Sequence, residues 1–191
     1  MTLSMIVVTT NSIINMANTT SCPLPSNINP LSSNGYNFSI TKLPEVTFFC
    51  QEVQLPSISL QTVDINTPLA QLPFAGDLLT YDDLTIQFIV NEGMSNYQSI
   101  YNWLVGLGFP ADNNQFESFI NAQDTGYSRL SREYSDATLS ILGSNNQPVK
   151  TVRFIDILPV NLSSMTFQST NTDVPYIVGN ATFKISRYEF V

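Results

Sequence analysis

The stretch Leu72–Asn91, LPFAGDLLTYDDLTIQFIVN, decides how the chain is read. Leu84, Ile86, Phe88 and Val90 recur at every second residue, the period of a strand with one buried face. Ahead of them lie a glycine–acid break, Gly76-Asp77, and the acidic pair Asp82-Asp83. A Gly/Pro-punctuated segment thus feeds a strongly alternating strand.

Upstream, Phe38 and Ile40 alternate with Asn37 and Ser39, predicting a first strand from Tyr36. Leu43-Pro44 breaks it, and a second strand is expected over Val46–Gln54, up to Leu55-Pro56. X-Pro steps limit strands because proline donates nothing to a ladder. A third strand, Ile58–Ile65, places Ile58, Leu60 and the Thr62 methyl on one face. Residues 66–83 then read as a loop, too long and too apolar for a solvated turn. Exposing Leu69, Leu72, Phe74, Leu78 and Leu79 together is costly. Two readings stand: contact with a neighbouring subunit, or a flap folded on its own core.

Downstream comes the one convincing helix, over residues 95–107. Ser95 is the expected cap, with Gln98 completing a capping box. Tyr97, Ile100, Tyr101, Leu104 and Leu107 form its apolar stripe, Trp103 lies at the stripe's edge, and Gly106, Gly108 and Pro110 end it. A short helical turn over Phe116–Asn121 follows, then a polar crossover over 121–135. Ala137–Leu142 and Lys150–Ile157, joined by SNNQP, predict a hairpin with Val152, Phe154 and Asp156 on one face and Ile155 and Ile157 on the other. Pro159 is expected to separate this hairpin from a strand through Met165 and Phe167. The last strand, Ala181–Phe190, changes apolar phase midway, as at a bulge or an edge. The predicted class is therefore mainly β, with two packed antiparallel sheets or a flattened barrel and one flanking helix.

Residues 16–35 are rich in Ser, Asn and Pro, so residues 1–35 read as a flexible arm before a folded domain over 36–191. Met16-Ala17-Asn18 resembles a translation start, which would leave residues 1–15 outside the native chain. The apolar run Met5–Val8 is too short to span a bilayer. Charged residues make up only 12% of the 191-residue chain, about half the usual ~25%, which leans toward a subunit whose surface is covered on assembly. The net charge is −8, and up to Asp124 ten acidic residues face one basic residue, Lys42. That acidity serves solubility, or it places carboxylates such as Asp64, Asp77, Asp82, Asp83 and Glu92 along a channel that DNA must traverse without sticking.

Catalysis finds little support. Histidine is absent, and no GxSxG, GxxxxGK[ST] or GxGxxG motif occurs. Asp82 and Asp83 are adjacent in an extended segment and face opposite ways. Cys22 and Cys50 form no metal-binding spacing; Cys50 reads as a core residue within TFFCQEV. Arg129, Arg132 and Arg153 read as surface ion-pairing residues. No catalytic residue, cofactor, metal or small-molecule substrate is expected.

Three segments together carry a resemblance. YNFSITKLPEVTFFCQEVQLPSISL joins an early strand to an LP turn. INTPLAQLPFAGDLLTYDDLTIQFIVNE has a G-D…DD-L-T spacing before the helix, and VRFIDILPVNLSSMTFQSTN leads through an LPVN turn to ATFKISRYEF. In order and spacing these resemble the tail tube family of contractile-tailed bacteriophages, over about residues 36–110 and 137–191. The resemblance implies a structural virion protein, built into the phage tail in the bacterial cytoplasm. It implies a homo-hexameric ring whose strands, here 58–65 and 84–91, join a continuous barrel around a lumen. Double-stranded DNA would pass through it in transit only. Residues 66–83 would be the ring-stacking loop, with Pro68, Leu69, Leu72, Phe74, Gly76, Asp77, Leu78 and Leu79 at the contact. Partners would be other tube, baseplate or sheath proteins, with no membrane involved. The leader, the insertion 111–135 and the helix ending GLGFP depart from the main tube subunit. They point to a specialised ring, such as a baseplate-proximal initiator or hub component, with the main tube protein left open. An adaptor or neck module that binds tail proteins without forming the tube is the alternative.

Overall fold

The computed structural model describes residues 28–66, 70–122, 133–169 and 176–191. The leader with Met16 and Cys22, the loop residues Pro68 and Leu69, and the crossover with Arg129 and Arg132 lie outside the described residues. Contacts divide the chain into residues 1–31 and 32–191. Of the first unit, Ile28–Leu31 are described and carry no helix or strand.

The second unit runs β1 (Tyr36–Ile40), α1 (Pro44–Phe49), β2 (Cys50–Gln54), β3 (Ile58–Asn66), β4 (Gln71–Tyr81) and β5 (Leu84–Ile89). Helices α2 (Ser95–Gly108) and α3 (Asn113–Ala122) follow, then β6 (Ser135–Leu142), β7 (Pro148–Leu162), β8 (Val178–Lys184) and β9 (Arg187–Phe190). Seven strands form one antiparallel sheet in the order β1-β6-β7-β8-β5-β2, with β9 also on β7. β3 and β4 form a second, two-stranded sheet. The mainly β class with two antiparallel sheets holds. The barrel form does not, because β1 and β2 end the larger sheet without pairing to each other.

The deciding strand behaves as its alternation requires. Leu84, Ile86 and Phe88 of β5 are fully buried, while Thr85, Gln87 and Ile89 are half-buried on the other face. Across the ladder they meet Phe183, Ala181 and Gly179 of β8, so large side chains oppose small ones at two of three positions. The core adds Phe38 and Ile40 from β1, Val152, Phe154 and Ile157 from β7, Val46 from α1, and Ile100 and Trp103 from α2. Each large side chain removed from water contributes about 1.5–3 kcal/mol.

Several local expectations are corrected. Val46–Phe49 is helical rather than extended, because Pro44 occupies the first helical turn, where its ring presets φ, and Glu45 follows it. Residues 71–81 are a strand rather than a loop.

Helix α2 is not capped by a Ser95–Gln98 box. Ser95 Oγ accepts a hydrogen bond from Asn91 Nδ2 (2.7 Å), and the fully buried Asn96 fixes the helix start. Its Nδ2 donates to the Ile89 carbonyl (2.8 Å) and its Oδ1 accepts from the Tyr97 amide (2.9 Å). The buried face runs Asn96, Ile100, Trp103 and Gly106, so Trp103 is central, while Tyr101 is exposed. At the other end the left-handed position is Phe109 (φ 31°), whose amide donates to the Val105 carbonyl.

In β7 a bulge turns the face. Asp156 takes φ 55°, its amide donating to Asp136 Oδ1, so Asp156 points outward and Ile157 enters the core. Pro159 does not end β7. It lies past the last β6 pairing, at a register shift opposite β8, where a missing amide proton costs little. β7 stops at Leu162, and Phe167 lies exposed outside any strand. The phase change in the last strand is real: β8 and β9 both pair with β7, interrupted at Ile185-Ser186.

Candidate assembly surface

The β3–β4 ribbon stands apart from the larger sheet; its only ladder partners among the described residues are its own two strands. The sequence places large apolar side chains along it, and the fold leaves them in water. Ile58, Leu60, Val63, Ile65, Leu72, Phe74, Leu78 and Leu79 are each between 47% and 57% exposed. A two-stranded hairpin is marginal by itself in water, and this much exposed apolar surface on one element marks an interaction site.

At the base, Ser57 Oγ hydrogen-bonds Asp82 Oδ2, and the Asp82 amide donates to the Ser57 carbonyl (3.0 Å). Ser59 and Thr80 hydroxyls meet at 2.7 Å, and the Tyr81 ring packs edge-on against Tyr188 of β9 at 5.4 Å. Halfway along, the register shifts. Leu60 pairs with Leu79 and Thr62 with Ala75, so Gly76, Asp77 and Leu78 all bulge opposite Gln61. A β-carbon on Gly76 would lie 2.5 Å from the Gln61 carbonyl oxygen, which leaves room only for glycine. What reads as a glycine–acid break is therefore a bulge inside one strand.

The predicted contact residues fall on this ribbon. Leu72, Phe74, Gly76, Asp77, Leu78 and Leu79 belong to β4. By alternation Leu72 and Phe74 share one face, opposite Ile65 and Val63, while Leu79 lies on the other, opposite Leu60. The five acids are spread along the ribbon and past its base. Asp64 pairs with Pro73 near the tip and Asp77 sits in the bulge. Asp82 is held by Ser57, and Asp83 forms an ion pair with Lys184 at 3.2 Å. Glu92 lies in the exposed turn before α2. The signal that marks β4 as a strand is present in the sequence: Leu72, Phe74, Leu78 and Thr80 keep one parity across the bulge.

Away from the ribbon, Lys42 lies over the rings of Trp103 (5.1 Å) and Phe119 (5.6 Å), joining the β1–α1 turn to α2 and α3. Burial pushes its ammonium down to about 8, against the opposing pull of Glu133. Gly106 permits the α2–α3 contact, since a β-carbon there would lie 2.7 Å from Phe119 Cγ. The Cys50 thiol is pushed up to about 11 by burial, opposed by its hydrogen bond to the Glu52 carbonyl, and is mostly protonated at neutral pH. Arg153 pairs with Asp136 at 2.7 Å and Arg187 with Glu189 at 2.8 Å. Among the described residues no His/Cys/Asp/Glu group is arranged to hold a metal, and no helix is long and apolar enough to cross a membrane.

Residues 14–191 match the family described as phage tail tube protein. The chain is 28% identical over 147 residues to the tail tube terminator protein of Enterobacteria phage T4, covering 75% of this chain and 77% of that one. Its fold is similar to a chain of the anti-feeding prophage tube-terminating cap, with TM-score 0.54 and 14% identity over 91% of this chain and 98% of that one. It is also similar to a chain of the sheath/tube terminator of the extracellular contractile injection system PVC, with TM-score 0.53, 18% identity and coverage of 85% and 97%.

Proposed function

This chain belongs to the phage tail tube protein family, and on that premise we propose that six copies close into a ring at an end of a contractile phage tail tube. It is a component of the virion tail and works by assembly rather than by catalysis. The observation that carries the reading is the β3–β4 ribbon, which offers two strand edges unpaired among the described residues and eight half-exposed large apolar side chains. Edges of this kind are a liability unless another chain covers them, and closing a ring covers them all. Residues 71–81, with Leu72, Phe74, Leu78 and Leu79, are the part that meets the adjoining ring; Pro68 and Leu69 belong to the same contact by sequence.

Similarity to a tail tube terminator supports a ring that ends the tube rather than one repeated along it. A baseplate-proximal starter ring is the other end position, supported by the leader and the insertion that set this sequence apart. In either position the partners are other tube, sheath or baseplate proteins. The lumen passes DNA in transit, and its repulsive charge falls chiefly to Asp64, Asp77, Asp82 and Glu92, because Asp83 is already paired with Lys184.

Negative-stain imaging and sedimentation of concentrated protein test this. Six-fold rings are expected, and replacing residues 62–75 with a short turn is expected to abolish stacking while thermal unfolding of the body stays unchanged. A chain that remains monomeric at high concentration and joins no tube, sheath or baseplate protein overturns the proposal.

A further inference from the structure

The turn that leads into β1 carries the chain's one Asn-Gly step, Asn34-Gly35. The Asn34 side chain is exposed, and its Oδ1 accepts a hydrogen bond from Ser32 Oγ at 2.8 Å. Gly35 is held by its carbonyl, which accepts from the Leu142 amide at 2.8 Å, while its own amide makes no hydrogen bond among the described residues. No side chain crowds that nitrogen, and the fold keeps it so. A β-carbon on Gly35 would lie 3.0 Å from the Leu142 carbonyl oxygen, tighter than ordinary contact and against backbone.

We propose that Asn34 is a site of spontaneous covalent modification, converting through a cyclic imide to aspartate and isoaspartate with water as the only co-reactant. The Gly35 backbone nitrogen gives up its proton to solvent base and attacks Asn34 Cγ. A bond forms between that nitrogen and Cγ, the Cγ–Nδ2 bond breaks, and Nδ2 leaves as ammonia. Water then opens the ring. Cleavage of the new bond to Cγ gives aspartate. Cleavage of the original peptide bond gives isoaspartate, whose main chain runs through Cβ and Cγ. Ser32 has a defined part in the first step. Its hydroxyl already donates to the oxygen on which negative charge builds as Gly35 attacks, so that hydrogen bond strengthens toward the tetrahedral intermediate.

Either product adds one negative charge to a chain already at −8. The isoaspartyl form also lengthens the main chain between Asn34 and Gly35. Leu142 pins Gly35 to β6, whereas Ser32, Ser33 and Asn34 are exposed, so the extra length is taken up ahead of Gly35 and β1 stays in register. A virion component is not replaced once assembled, so the modified fraction grows with the age of the particle.

The test holds the purified full chain in heavy-oxygen water at neutral and at alkaline pH. Mass spectrometry of digests follows each asparagine, with electron-transfer fragmentation separating isoaspartate from aspartate. Asn145 and Asn146, exposed in the β6–β7 turn and each followed by a larger residue, are internal controls. Asn34 is expected to convert roughly tenfold faster than either control, because no β-carbon hinders its attacking nitrogen, and faster still at alkaline pH. Ser32→Ala is expected to slow it about fivefold, the worth of one hydrogen bond, and Ser32→Thr, which keeps a hydroxyl, to preserve the rate. Asn34→Gln, whose ring needs one more atom, is expected to remove the conversion. Ser32 and Asn34 are exposed, so these variants are expected to unfold thermally as the wild type does. Conversion of Asn34 no faster than that of Asn145 and Asn146 overturns the proposal. An unchanged rate in Ser32→Ala, or an equal loss in Ser32→Thr, overturns the part given to Ser32. The ring reading is independent of all these outcomes.

Discussion

Gly76→Ala is the smallest perturbation that tests whether the ribbon geometry governs assembly. The added β-carbon would lie 2.5 Å from the Gln61 carbonyl oxygen, about 0.9 Å short of the 3.4 Å at which ordinary contact begins. The obstacle is backbone, so no side-chain rotation relieves it. The strands must open at the bulge, and one or two ladder hydrogen bonds on either side weaken. At about 0.5–1.5 kcal/mol net per bond, the ribbon loses roughly 2 kcal/mol. Where the contact requires the ribbon's native register, this cost passes to assembly. With tenfold per 1.4 kcal/mol, the concentration needed for assembly rises about 30-fold per subunit contact. Sedimentation across a concentration series reads this directly. Thermal unfolding supplies the contrast, because the ribbon shares no ladder with the core sheet. Were it part of the cooperative core, 2 kcal/mol would lower Tm by about 4–8 °C in a domain of this size. The expected Tm is unchanged. Wild-type assembly by Gly76→Ala, or a Tm drop of that size, refutes the reasoning.

Two further outcomes concern the body. Phe88→Ala removes a fully buried ring that packs on Gly179 and is expected to cost about 3–5 kcal/mol, lowering Tm by roughly 10 °C in calorimetry. Lys42→Met separates a pH effect: the folded chain holds this ammonium at about 8, against about 10.4 when unfolded, so the unfolded chain binds more protons as pH rises past 8. Lys42 thus adds a rise in stability with pH above 8. Cys50, raised to about 11 by burial, works the opposite way above pH 9, so the comparison belongs between pH 8 and 9. Tm of the wild type minus that of Lys42→Met is expected to increase across that window, and a flat or falling difference contradicts the placement of Lys42.

Legibility varied with the range of the interaction that decides each element. The alternation of Leu84, Ile86 and Phe88 and the presence of a helix around Ile100 are legible, because the period of a strand or helix is local. The misreadings share a cause. Val46–Phe49 carries β-forming residues, yet Pro44 and the burial of Val46 make it helical. Ser95 is a good cap in isolation, yet Asn96 is the residue that the end of β5 accepts. In β7, Asp156 takes a left-handed backbone because Asp136, on the neighbouring strand, receives its amide.

By sequence alone, the chain determined that it is mainly β, that its core strand is β5, that one principal helix covers the sheet, and that residues 66–83 hold more apolar surface than a loop explains. Those features depend on hydrophobic period and composition, which are local. Only the tertiary structure decided that this surplus lies on a paired ribbon, that Gly76 sits where a β-carbon meets a carbonyl, and that the apolar surface changes face there. Register sets all three, and it arises from pairing between residues up to 23 positions apart, such as Ile58 with Tyr81, which no local pattern specifies.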